Sequence, residues 1–144
     1  MTEKQIKEHC QAEFVQIEQV MLEIIKLRRP KKRPFNKVEL AALGTFLHNF
    51  YNGAENILKQ ISAHEGFKIP SGPNWHKDLL KTALLNRIIN KNLMTDLLPY
   101  LAFRHFFVHG YGFDLDWQKM KSIVNNADKV YLRFKSAVTA YISK

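Results

Sequence analysis

The sequence predicts an all-α protein, an antiparallel bundle of about five helices joined by short connections and forming one domain over residues 1–144. Three observations lead there. Apolar residues recur at three- and four-residue steps through most of the chain, the period of a helix with one buried face. No alternating apolar and polar pattern runs longer than a few residues, so strands have no support. Glycine and proline are few, 6 and 5, and the densest clusters fall between the periodic segments. With 144 residues, 46% of them apolar, the chain is long enough for one hydrophobic core and too short to expect two.

The first segment sets Ile6, Cys10, Phe14, Ile17, Met21 and Ile24 on one face and stops at "RRPKKRP", whose prolines end it, giving a helix over roughly residues 2–29. The second begins at "FNKVEL", where Asn36 can cap and Glu39, three residues on, completes a capping box. Leu43, Leu47, Phe50, Ala54, Ile57 and Ile61 make its buried stripe. "EGFKIPSGPNW" is the clearest loop, and "WHKDLLKTALLNRII" after it is a short third helix with Leu79, Leu80, Ala83, Leu84 and Ile88 inward. "MTDLLPYLAFRHFFVHG" is the fourth, with Pro99 in its first turn or bending it and Gly110 as its stop. Asp114 is expected to cap the last helix, on which Trp117, Met120, Val124, Ala127, Tyr131, Phe134, Val138 and Tyr141 share a core-facing stripe.

The balance of 22 Lys and Arg against 13 Asp and Glu gives a net charge of +9, which suggests an anionic partner such as nucleic acid or an acidic protein. The single cysteine, Cys10, lies in an apolar pattern and excludes a disulfide framework or cysteine metal cluster within one chain, which fits a reducing, cytoplasmic setting. No apolar run approaches a membrane span, and the charged N-terminus holds no signal-peptide core. "KLRRPKKRPFNK" gathers seven basic residues, and Arg28, Arg29, Lys31, Lys32 and Arg33 in it are candidates for contact with a nucleic-acid backbone. A solvated loop or a surface for an acidic protein explains the run equally well.

The stretch "RHFFVHGY", residues 104–111, places Arg104, His105, His109 and Tyr111 among apolar residues and a glycine. Five helical steps put Arg104 and His109 about 140° apart around the axis, so one regular helix does not aim both at one atom. Either Gly110 lets the last turn unwind, or a second copy of the helix supplies the missing group across a two-fold interface. The chemistry available is metal-free phosphoryl transfer. Histidine can take a proton from a ribose 2′-hydroxyl or give one to a leaving oxygen, and arginine holds a phosphate and the charge that grows on it. DNA lacks that hydroxyl, so the substrate would be RNA. The plainer explanation is an arginine on a helix surface and a histidine near a helix C-terminus, both structural. His105 and His109 also have the four-residue spacing of a zinc pair, but Phe106 stands where the HExxH pattern needs glutamate and no third ligand is near in sequence. His76 is expected to pack with Trp75, and Glu55 with Asn56 to orient a partner or face solvent.

Arg104, four residues, His109, one residue and Tyr111 are similar to the RX4HXY motif of the HEPN superfamily of ribonucleases, in particular the HepT-type toxins. His105 fits the usually polar position after the arginine, and "YNGAENILKQI", "WHKDLL" and "GYGFDLD" resemble the matching parts of HepT-like chains from about residue 40 onward. The resemblance implies a HEPN-like helical homodimer with a metal-independent endoribonuclease site between facing motifs and no cofactor. Within it Arg104 binds phosphate, His109 transfers protons, Tyr111 assists and His105 supports. It also implies a nucleotidyltransferase-type antitoxin as partner, with Tyr111 as the acceptor of an adenylyl group. The competing class is a non-catalytic helical module that binds a nucleotide, RNA or a partner protein.

Overall fold

The computed structural model of the chain describes residues 2–28, 34–110 and 115–144. Within them run α1 (Glu3–Leu27), α2 (Lys37–Glu65), α3 (Trp75–Leu85), α4 (Lys91–His109) and α5 (Trp117–Ile142). A helix start leaves amide N–H groups unpaired, and four of these starts recruit a side chain to meet them. Thr2 and Gln5 form a reciprocal capping box on α1, and Asn36 and Glu39 form the predicted one on α2. Asn90 caps α4 by accepting from the Leu93 amide at 2.8 Å, so α4 starts three residues earlier than the apolar pattern showed. Asp116, not Asp114, caps α5 by accepting from the Gln118 amide; Asp114 lies outside the described residues.

Two helix ends differ from expectation for identifiable reasons. The third helix stops at Leu85 because the Asn86 amide side chain donates to the Thr82 carbonyl and Arg87 turns left-handed, φ +61°. The Ile88 amide then reaches back to the Ala83 carbonyl at 2.9 Å, closing a Schellman-type end. Ile88 is buried as predicted, but from this turn rather than from the helix, and Leu84 is only half-buried. Pro99 lies well inside α4 rather than in its first turn. Having no N–H, it leaves the Thr95 carbonyl without its helical partner. Gly110 ends α4 as predicted, with extended backbone angles, φ −108° and ψ 178°.

The four long helices alternate in direction. Glu3 and Ile6 of α1 share a cavity with Ile61, His64 and Glu65 of α2 and with Tyr141 and Ile142 of α5, so α1 starts where α2 and α5 end. Asp96 of α4 meets Arg133 of α5, while Tyr100 donates to the Ile123 carbonyl, which sets α4 and α5 antiparallel as well. α2 is the central element and packs against each of the other four. Phe50, fully buried, places its ring edge to face with Tyr100 of α4 at 5.3 Å and Tyr131 of α5 at 6.2 Å. Each such aromatic pair adds about 0.5–1.5 kcal/mol beyond the burial itself. Gly53 permits the close approach of α1, since a Cβ there would stand 2.7 Å from Ile17 Cγ1. All of the predicted face residues of α1 and α2 are buried, as are those of α5 except Trp117 and Tyr141, which are half-buried.

Two polar ties fasten α5 to α1. Arg28 Nη1 donates to the carbonyls of Val124 and Asn125 and to Asp128 Oδ1, the last at 2.9 Å. Glu18 accepts from the Tyr131 hydroxyl and from Lys135 Nζ at 2.6 Å. The Arg28 bond holds the Asp128 carboxyl below its ordinary range, and the Lys135 and Tyr131 bonds do the same for Glu18. A carboxylate so held stabilises the fold at every pH above its unfolded value, about 4, and the contribution disappears as the pH falls through the lower folded value. The share of the melting temperature that these two carboxylates carry is therefore constant from pH 7 to about 5 and is lost below about 4. An Arg28→Met variant should start lower at pH 7 and lose less in acid, which thermal melts followed by circular dichroism would measure.

Candidate functional site

Three polar side chains of α2, His48, Asn52 and Glu55, stand at the i, i+4, i+7 spacing of one helical face. Beside an apolar stripe such a row must find polar partners in the neighbouring helices. Arg104 of α4 and His76 of α3 supply them. Arg104 Nε donates to Asn52 Oδ1 at 2.8 Å, and its Nη1 lies 3.4 Å from His76 Nε2. His76 Nδ1 stands 2.7 Å from Glu55 Oε2, and Glu55 Oε1 is 4.0 Å from Arg104 Nε. The Glu55 side chain keeps 4% of its surface exposed and those of Arg104 and His76 21%, so the carboxylate is interior while the cation reaches the surface. The His76 ring lies against Trp75 with centroids 3.5 Å apart and planes tilted by 31°, and Lys59 Nζ sits 4.2 Å from the Trp75 ring centre.

Arginine only donates, and that fixes the protons of the whole cluster. Asn52 must turn its oxygen to Arg104, so its amide group donates to His48 Nε2 at 2.9 Å. His48 is then neutral with its proton on Nδ1, a buried atom without a partner among the described residues. Burial, and after it the Arg104 charge, lower the pKa of His48, in keeping with a neutral ring. By the same logic His76 Nε2 accepts from Arg104 and its Nδ1–H donates to Glu55. Arg104 Nη2 has no partner among the described residues, so the guanidinium is gripped on two nitrogens and its third is uncommitted.

The predicted residues divide. Arg104 joins the polar cluster, whereas His105 and His109 are exposed on the last turns of α4, their rings 4.6 Å apart. α4 stays helical through His109, and the Gly110 amide donates to the Phe106 carbonyl at 2.8 Å, so no unwinding before Gly110 swings His109 toward Arg104. Among the described residues no third His, Cys, Asp or Glu joins His105 and His109. Tyr111, Arg29, Lys31, Lys32 and Arg33 lie outside the described residues. Arg28 has its guanidinium committed to α5. His76 packs on Trp75 as expected but also bridges Glu55 and Arg104, a connection the sequence reading lacked. Glu55 does not face solvent, because His76 and Arg104 close over it; Asn56 beside it does. His48 and Asn52 were missed altogether, although their spacing from Glu55 was a readable signal.

A helical bundle built on a central α2, with a half-buried arginine near the end of α4, has the architecture of the HEPN-like proteins. Residues 42–144 match the family of HepT-like proteins, and the chain belongs to that family. Neither the curated proteins nor the solved structures yielded a match to the chain. No helix among the described residues is long and apolar enough to cross a membrane.

Arg104 carries a structural duty that follows from this geometry. Arg104→Ala leaves the interior Glu55 carboxylate with His76 alone and is expected to destabilise the fold on the order of 3 kcal/mol in urea unfolding. Adding Glu55→Leu should restore part of the loss, because the unpaired charge goes with it.

Proposed function

We propose that this HepT-like chain is the toxin of a toxin–antitoxin pair, a cytoplasmic, metal-independent endoribonuclease whose active site forms between the α4 helices of two copies. One observation carries the reading. Arg104 is held in a fixed orientation by Asn52 and His76 with one nitrogen uncommitted among the described residues, a constraint that a surface arginine serving solubility does not need. Such a fork is prepared for a phosphate and for the charge that builds on it during transfer. His109, exposed at the end of the same helix, handles the protons. The ribose 2′-oxygen attacks phosphorus as its proton leaves, the bond to the 5′-oxygen breaks as that oxygen is protonated, and a 2′,3′-cyclic phosphate remains. Because Arg104 and His109 diverge around α4, the histidine serving one phosphate comes from the other copy. His105 supports His109 through their ring contact.

Tyr111, two residues on, assists at the phosphate and is the group that a nucleotidyltransferase-type antitoxin adenylylates. A bulky anion placed there repels the RNA phosphate and fills its space. The basic run after α1, Arg29, Lys31, Lys32 and Arg33, contacts the RNA backbone, in keeping with the net charge of +9.

The test is cleavage of a defined RNA in excess EDTA by the parent protein and by His109→Ala. The parent is expected to leave 2′,3′-cyclic phosphate ends or their hydrolysis product, and the variant to be slower by about 10²–10⁴-fold, the range of a lost general acid or base. His109 is exposed, so the variant should fold normally. Equal cleavage by both proteins would trace the activity to a contaminant. Binding without cleavage by both would place the chain among non-catalytic modules. A strict monomer in sedimentation would remove the composite site.

A further inference from the structure

The arrangement around Glu55 has a property that a plain ion pair lacks. A carboxylate beside a guanidinium normally closes on it through two parallel hydrogen bonds, which satisfies the arginine and leaves little of its charge for another anion. Here Glu55 Oε1 stops 4.0 Å from Arg104 Nε, while Oε2 is held by His76 Nδ1 at 2.7 Å. The atoms that touch Arg104 most closely are neutral acceptors, Asn52 Oδ1 at 2.8 Å and His76 Nε2 at 3.4 Å. His76 is itself fixed by its contact with Trp75. The ring therefore stands as a spacer, with a donor toward the carboxylate and an acceptor toward the cation.

We propose that His76 is a positioning residue that holds Glu55 off Arg104, so that the guanidinium keeps its charge for the phosphate of an RNA backbone. The role rests on the ribonuclease reading above and gives it two further residues, Glu55 and His76, drawn from α2 and α3 rather than from the motif. Without the spacer, Glu55 closes on Arg104 and competes with the substrate for the same nitrogens. A merely structural His76 makes no such link between loss of the ring and the charge of Glu55.

The experiment measures the affinity of the full-length protein for a 2′-O-methyl oligoribonucleotide, which presents the phosphates but has no free 2′-hydroxyl to attack. Fluorescence anisotropy would compare the parent, His76→Phe, His76→Ala, Glu55→Gln and the double variant His76→Phe/Glu55→Gln. Phe keeps the contact with Trp75 and removes both nitrogens. His76→Phe is expected to bind roughly ten- to hundredfold more weakly, the scale of one lost charge-assisted contact. The double variant should recover most of that affinity, because Glu55→Gln takes away the negative charge that would otherwise close on Arg104. Thermal melts confirm that each protein is folded, and His76→Ala repeats the comparison should the Phe variant melt early. Equal losses in the single and double variants, or no loss in either, would overturn the spacer role, as would a parent that does not bind the oligonucleotide. Cleavage of ordinary RNA is scored separately. A parent that binds the probe with this pattern yet cuts no RNA would uphold the spacer and end the ribonuclease reading.

Discussion

A carboxylate taken into a protein interior must be met by donors, and the folded chain is arranged around one such obligation, that of Glu55. Transfer of an unpaired charge out of water costs far more than a single contact returns, so a fold that buries Glu55 also has to deliver its partners. His76 arrives on α3 and Arg104 on α4, both docking on α2 at the same level. The need accounts for the presence of α3 at this point, since a direct passage from α2 to α4 would leave the carboxylate with the arginine alone. Asn52 and His48 then extend the polar contacts along α2 toward Phe107, whose ring lies 5.6 Å from that of His48. The apolar core that surrounds this line draws on all five helices among the described residues, and stability comes mainly from it. The polar line contributes something else: it fixes which side chain faces which.

The motif residues consequently live under different rules. Arg104 belongs to the interior network and its orientation is inherited from α2 and α3. His109, five residues later, is exposed, and among the described residues the ring against its own is that of His105. One helix thus carries an anchored cation on one side and an open imidazole on another. On the proposed reading, such a pair serves a symmetric encounter of two helices, because each copy presents both halves on different faces.

The helices were legible in the amino-acid order because burial on one side of a helix repeats with a period that nothing else produces. Ile6 to Ile24 and Leu43 to Ile61 are plain examples, and the Asn36 and Glu39 box marked a start to the residue. The start of α5 was harder, since Asp114 and Asp116 are both able to cap by residue type and geometry gives the role to Asp116. In the site, Arg104 and His109 were visible through the spacing of the motif. Glu55 was visible only as a polar residue that orients a partner or faces solvent, and the approach of His76 and Arg104 from distant parts of the chain decides between the two. His48 and Asn52 shared the same stripe as Glu55, and a row of three polar residues on one face could have been set against the polar residues left over elsewhere. Pairings of that kind depend on which helices become neighbours, which periodicity does not specify.

Gly44 shows how closely the end of α4 rests on α2. A methyl group at this position would stand 2.7 Å from the Phe107 ring, so the ring rests where any other residue would place its Cβ. Phe107 lies between Arg104 and His109 on the last turns of α4, and the missing Cβ of Gly44 lets its ring settle against α2. The end of α4 that carries Arg104 and His109 is therefore seated on α2 at a residue that contributes no side chain of its own.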